Sequence, residues 1–246
     1  MERDGRKGAV LNPIIRTVEE TGSTNADMLA LAASDAAEGL WLRAVRQSGG
    51  RGRQGRAWQS PAGNFYGSTL VRLRSGDPAA ATLALVAAVA LADAVRVHAP
   101  TPALSIKWPN DLLLGGAKLA GILLERTGDV VVVGAGVNLA HHPVDLDRPV
   151  TSLAAHGPAP EPGVFAQTLA ECFARWLGRW RGEGLGVIRD AWTARAHPPG
   201  TALVASLPDG ERVEGLFERL DAAGALILRL ADGRVRAIHA GDIFLI

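Results

Sequence analysis

The hydrophobic pattern of the chain changes character twice. Leu40 to Arg46, Phe65 to Leu73 and the short Leu104 to Lys107 are β-compatible runs set between glycine, proline and serine clusters. Leu119 to Glu125 and Val130 to Val133 predict a hairpin turning at Thr127-Gly128-Asp129. Interleaved with these are helical signals. Thr21-Gly-Ser-Thr-Asn-Ala-Asp offers cap residues ahead of Met28, Leu29 and Leu31, which predicts a helix ending near Gly39. Val164 to Trp180, with Phe165, Leu169, Phe173 and Leu177 on one face, and Gly186 to Arg195 predict two more helices.

At His197-Pro198-Pro199-Gly200 the pattern becomes purely β. TALVASL, RVEGLFERL, GALILRL, VRAIHA and DIFLI follow in under fifty residues, separated by Pro-Asp-Gly, Asp-Ala-Ala-Gly and Asp-Gly turn signals. The fold class expected is α+β: a mixed-sheet domain over residues 1–196 followed by a small SH3-like β-barrel over 197–246. Residues 1 to 13 read as a loose tail.

Pro78 to Ala92, PAAATLALVAAVALA, is the most membrane-like stretch, but it is bounded by Asp77 and Asp93. Fifteen residues fall short of the roughly 20 that a bilayer core needs. A buried core helix with Asp77 as N-cap is expected instead. Hydrophobic residues make up 48% of the 246, enough for a sizeable core. The formal charge of +1 disfavours wrapping a long polyanion. The single cysteine, Cys172, cannot form an intrachain disulfide, and MERDGRKGAV lacks the apolar core of a secretory signal, so a cytoplasmic location is expected.

The candidate chemistry lies in loops. Gln47 to Trp58 gathers three arginines, four glycines and a tryptophan, a composition suited to a flap over a small anion or to an RNA-binding segment. Of the 26 basic residues 23 are arginine, and the only lysines are Lys7, Lys107 and Lys118. A lysine kept in such a chain points to work that needs a compact, strongly hydrated point charge. Lys107 opens KWPND (107–111) and Lys118 lies in GGAKLAGILLE (115–125), three residues before Gly121, where a missing side chain admits a ligand. Pro109 interrupts the strand, so Asn110 and Asp111 are expected in an exposed turn. His141-His142 lacks matching metal-ligand spacing and is expected to face solvent. Trp108, Trp176, Trp180, Trp192 and Cys172 are expected to pack in the core.

The ordered set TGSTN (21–25), QxxGRGRxGRxW (47–58), SPxGN (60–64), KWPND (107–111), KLAGILLE (118–125) and VGAGVN (133–138) resembles the biotin protein ligases. The resemblance runs from about Thr21 to the C-terminus. It implies an adenylate-forming enzyme that makes biotinyl-5′-AMP from biotin and MgATP, then passes biotin to a lysine of a carboxylase's biotin carboxyl carrier domain. Ser23, Thr24, Asn25, Gln47, Gly50, Gly121 and Gly134 match biotin-binding positions. Arg51 and Arg53 match the loop facing carboxylate and phosphate; Arg56, Trp58, Asn110 and Asn138 match nucleotide positions. Lys118 matches the lysine that joins biotin carboxyl to α-phosphate, and Asp111 belongs to the turn at the reacting centre. No residue is assigned to a metal, magnesium arriving on the ATP phosphates. Gln54 departs from the pattern, since a basic residue is common there.

Longer members of the family begin with a winged helix-turn-helix, for which the roughly twenty residues before TGSTN leave no room, so no DNA binding is expected. No membrane association is expected, and both a monomer and a homodimer are compatible with the sequence. The alternatives are a lipoate or octanoate ligase or transferase of the same superfamily, and a nucleic-acid module. The complete arginine loop and KWPND disfavour the first, and the charge balance disfavours the second.

Overall fold

A computed structural model describes residues 13–99 and 103–246. All of the predicted tail but its last residue, Lys7 included, lies outside them. A seven-stranded sheet is built from β1 (Ile15–Thr21), β2 (Trp41–Gln47), β3 (Phe65–Arg72), β4 (Leu104–Lys107), β5 (Asp111–Leu114), β6 (Ala117–Thr127) and β7 (Val130–Val137). Its strand order is β1-β2-β3-β7-β6-β5-β4, with β1 and β2 parallel and the other pairs antiparallel.

The sheet is covered on both faces. Helix α1 (Thr24–Ala33) packs Met28 and Ala32 onto Leu42, Leu70 and Val132. On the other face α2 (Leu83–His98), α3 (Pro162–Glu183) and α4 (Leu185–Thr193) close a larger core over Trp41, Phe65, Val71, Val131 and Val133. The four consecutive valines of β7 thus serve both cores alternately, as the period of two requires for a strand buried on both sides.

Three expectations need correction. Helix α1 stops at Ala33 rather than near Gly39, because Asp35 takes a left-handed φ of 59° that cannot continue a right-handed helix. Asp77 does not cap α2. Its carboxylate accepts from the Arg74 amide at 3.0 Å in the preceding turn, and a 3₁₀ turn at Ala80–Thr82 leads into the helix. Nor does Asp93 end α2, which continues to His98. Asp93 is accommodated inside the helix because Trp176, Arg175 and Arg195 donate to it from α3 and beyond α4. The segment Ala80–His98 is long and apolar enough to cross a membrane by length and composition, yet it is the central core helix here.

Two strands escape the sequence pattern. β1, IRTVEET, is a half-exposed edge with charges between its apolar residues. β5 begins at Asp111, which pairs with Lys107 across the hairpin, so the turn is Trp108-Pro109-Asn110 and Asp111 opens a strand. The C-terminal unit has all five expected strands: β8 (Ala202–Ser206), β9 (Arg212–Leu220), β10 (Leu226–Arg229), β11 (Val235–Ile238) and β12 (Asp242–Leu245). They form an antiparallel sheet of the small SH3-like kind, ordered β11-β10-β9-β8-β12.

Candidate active site

A cleft of about 930 Å³ opens between the C-terminal ends of β2 and β7, the KWPND hairpin, the arginine loop and β12. Its two ends differ in chemistry. At one end the Thr24 amide donates to Gln47 Oε1 at 2.8 Å, and Gln47 Nε2 donates to Ser60 Oγ at 3.1 Å. Asn25 and Ser23 lie beside this pair at the start of α1. Asn25 is committed to protein partners: Nδ2 donates to Glu125 Oε2 at 2.7 Å and Oδ1 accepts from Ser68 at 2.6 Å. The amide crosses Gly134 so closely that a Cβ there would lie 2.0 Å from Asn25 Oδ1. Only glycine fits.

The other end gathers cations. Lys118 Nζ donates to Asp111 Oδ1 at 2.5 Å, while Lys107 Nζ stands 3.5 Å from Asp111 Oδ2. One carboxylate thus holds two ammonium groups. Burial pulls the Lys118 ammonium below the usual lysine range; Asp111 opposes this by charge and hydrogen bond, and Arg148 and Lys107 add to the lowering. Lys118 is placed by an irregularity in the β5–β6 ladder: Leu113 pairs with Lys118 but Leu112 with Ala120. Residues three apart on a strand normally face opposite ways. Here the bulge brings Lys118 and Gly121 together, and a Cβ on Gly121 would lie 3.4 Å from Nζ. The Lys118 backbone is held from outside by the 149–151 segment, donating to Pro149 O and accepting from Thr151 N, both at 2.9 Å.

The arginine loop is folded as a small hairpin. Arg51 bridges Ala57, Gly52 N donates to Arg56 O at 2.7 Å, and a 3₁₀ turn spans Arg53–Gly55. Trp58 N returns to Gly50 O at 2.9 Å, and a Cβ on Gly50 would meet Ser60 Oγ and Trp58 O at 2.6 Å. Like charges in the loop are met by Asp242 at the start of β12, which pairs with Arg56 and lies 3.5 Å from Arg53. Burial raises the Asp242 carboxyl, but the Arg56 hydrogen bond and the charges of Arg56, Arg53 and Lys107 outweigh it and leave it lowered. Trp58 lies across the glycines of β6 and β7: a Cβ on Gly136 would sit 2.7 Å from its indole nitrogen, and Lys118 Nζ is 5.5 Å from the ring centre. Its Nε1 is buried and has no hydrogen-bond partner among the described residues.

Thirteen of the fifteen expected site residues line this one cleft; Gly50 and Asn138 do not. Gly50 shapes the loop from behind. Asn138 is 2% exposed and donates to Thr151 O at 3.0 Å, tying down the segment that backs Lys118. Lys107, singled out by the scarcity of lysine, stands in the site, and Arg148 and Asp242 join it unannounced. These two reach the cleft from a proline-flanked loop and from the second sheet. His141 is exposed as expected, whereas His142 Nδ1 is 3.0 Å from Ser152 Oγ.

The biotin/lipoate A/B protein ligase family matches residues 19–139, and the biotin protein ligase C-terminal domain matches 205–246. The biotin-[acetyl-CoA-carboxylase] ligase of Paracoccus denitrificans is 44% identical over 236 residues, covering 91% of this chain and 97% of that protein. The chain belongs to the biotin protein ligases. The ligase of the same description from Mycobacterium tuberculosis is 37% identical, over 92% of this chain and 86% of its own length. Among solved structures, the biotin protein ligase of Aquifex aeolicus in complex with biotin and ATP shares the fold, with a TM-score of 0.83 at 23% identity over 95% of this chain and 98% of that one.

Proposed function

We propose that the cleft joins biotin to ATP and then delivers biotin to a carrier lysine. Biotin's ring binds at the Thr24–Gln47 end, with its carboxylate directed toward Lys118. The nucleotide lies against Trp58 and along Arg51, Arg53 and Arg56. Magnesium enters as part of the MgATP substrate. Residues 1–196 act as the catalytic domain and 197–246 as a barrel that contributes the β12 wall.

The observation that carries this reading is the position of Lys118, 12% exposed and set between the neutral polar end and the arginine end. Adenylation presses two anions together: the carboxylate oxygen attacks the α-phosphorus and pyrophosphate leaves. A preorganised ammonium between them, itself largely buried, neutralises charge where it accumulates. Asp111 holds that ammonium in place until the anions arrive. In the second step a carrier-lysine amine attacks the acyl carbon and AMP departs. The acceptor is the biotin carrier domain of an acetyl-CoA carboxylase or a related carboxylase, in the cytoplasm.

The test is incubation with ATP, magnesium and, separately, biotin, lipoate or octanoate, with detection of each acyl-AMP by mass. Biotinyl-AMP alone is expected. Lipoyl- or octanoyl-AMP in its place would assign the chain to the other branch of the family.

A further inference from the structure

Behind the cleft, the buried Ser68 and the half-buried Glu125 have contacts that fix the direction of a hydrogen-bond chain. The Asn25 amide nitrogen faces two acceptors, Glu125 Oε2 at 2.7 Å and the Leu123 carbonyl at 3.5 Å. Its oxygen must therefore face Ser68 Oγ, 2.6 Å away. An amide oxygen carries no hydrogen, so the hydrogen between these two oxygens belongs to Ser68. Ser68 Oγ also lies 2.8 Å from Thr24 Oγ1, a contact that again needs one hydrogen. Ser68 has spent its own, so Thr24 donates. The 3.1 Å approach of Thr24 Oγ1 to Gln47 Oε1 then carries no hydrogen and is held by the Thr24 backbone N–H at 2.8 Å.

We infer that Glu125, through Asn25 and Ser68, holds the Thr24 hydroxyl as a hydrogen-bond acceptor toward the cleft, and so selects a ligand ring that presents an N–H there. This rests on the reading that biotin's ring occupies the Thr24 end. The ureido ring of biotin has such a donor; a dithiolane ring or a bare acyl chain has none. Ser68 is wholly buried and neither it nor Glu125 lines the cleft, so both are positioning residues rather than ligand contacts. The chain is ordered because its far end is a carboxylate, which can only accept while ionised. Gly134 belongs to the same device, since any side chain there would displace the Asn25 amide.

The experiment compares biotin with its two cyclic carbamate analogues, in each of which one ureido N–H is replaced by a ring oxygen. Binding is measured by calorimetry for the wild type, Ser68→Ala and Glu125→Gln, alongside KM for biotin and for ATP. In the wild type one carbamate is expected to bind on the order of 10²-fold more weakly than biotin, because two acceptors then face each other. In Glu125→Gln the terminal amide can donate as well as accept, which leaves only the long 3.5 Å contact to Leu123 O to fix the order, and discrimination should fall several-fold, with KM rising for biotin and not for ATP. Ser68→Ala should act in the same direction. If Ser68→Ala does not fold, Glu125→Gln decides alone, since Glu125 is only half-buried. Undiminished discrimination in a folded Glu125→Gln protein overturns the inference while leaving biotin ligation intact. Failure of the wild type to bind biotin removes both.

Discussion

Asp242, the first residue of the last strand, pairs with Arg56 and lies 3.5 Å from Arg53, so the C-terminal sheet holds the arginine loop over the cleft. Arg53 Nη1 also donates to Gly241 O at 3.2 Å and to Asn110 Oδ1 at 3.4 Å, which links the loop to both the barrel and the KWPND turn. Asp242→Ala should leave global stability within about 1 kcal/mol, as partly exposed ion pairs contribute little. It should nonetheless speed tryptic cleavage at Arg51, Arg53 and Arg56 and shorten retention of biotinyl-AMP. Unchanged cleavage would show that the latch does not hold the loop.

The same pair sets an acid limit. The Asp242 carboxyl is lowered below its usual 3.8, so its contribution is present above that value and is lost as pH falls through the lower folded value. Trypsin cannot follow the loop there, but pepsin can. Opening of the loop in the wild type is expected only below pH 3.8, a threshold that Asp242→Asn should abolish.

Lys118 yields a prediction at the alkaline side. Burial lowers it from 10.5, with Asp111 the opposing partner. The charged ammonium is therefore lost at a lower pH than in an ordinary lysine. The profile of kcat/KM, which reports the free enzyme, should begin to fall below pH 10.5, and Asp111→Asn should move that fall to lower pH still. A fall moved upward by Asp111→Asn would contradict the assignment.

Trp58 rests on bare backbone. Gly136→Ala places a methyl 2.7 Å from the indole and must lift it. KM for ATP is expected to rise about two- to tenfold, the size of a lost aromatic stacking contact of roughly 0.5 to 1.5 kcal/mol. Biotin binding without ATP should change much less. Equal losses for both ligands would mean that Trp58 shapes the whole cleft rather than its nucleotide end.

What the sequence made readable follows from what is local. Lys118 stood out because lysine is scarce, and the loop because its glycines and arginines are contiguous. The barrel strands were evident because each is short, apolar and closed by a turn signal. β1 was not, since a parallel edge strand needs no continuous apolar run and IRTVEET keeps its charges facing solvent. Asp93 misled because its partners, Trp176 and Arg195, lie 83 and 102 residues away and only the fold brings them to it. Ser68 carried no signal, and Glu125 only its place at the end of KLAGILLE, for the same reason: their role lies in which oxygen holds which hydrogen, and that order exists only once α1, β3 and β6 are assembled.

In the proposed function the Lys118 ammonium bridges the two anions of the first step. Lys118→Gln keeps much of the side chain and removes the charge. The decisive measurement is the pre-steady-state rate of biotinyl-AMP formation, read beside a thermal melt and with Lys118→Arg for comparison. Losing one preorganised electrostatic contact should cost roughly 3 to 4 kcal/mol, a fall of about 10²–10³-fold, with Lys118→Arg recovering only part because a forked guanidinium cannot replace a compact ammonium. Lys118 and Asp111 are buried together, so Asp111→Asn/Lys118→Gln serves as the variant that leaves no unpaired charge if the single change lowers the melt. A wild-type rate in a normally folded Lys118→Gln protein would remove Lys118 from the adenylation step.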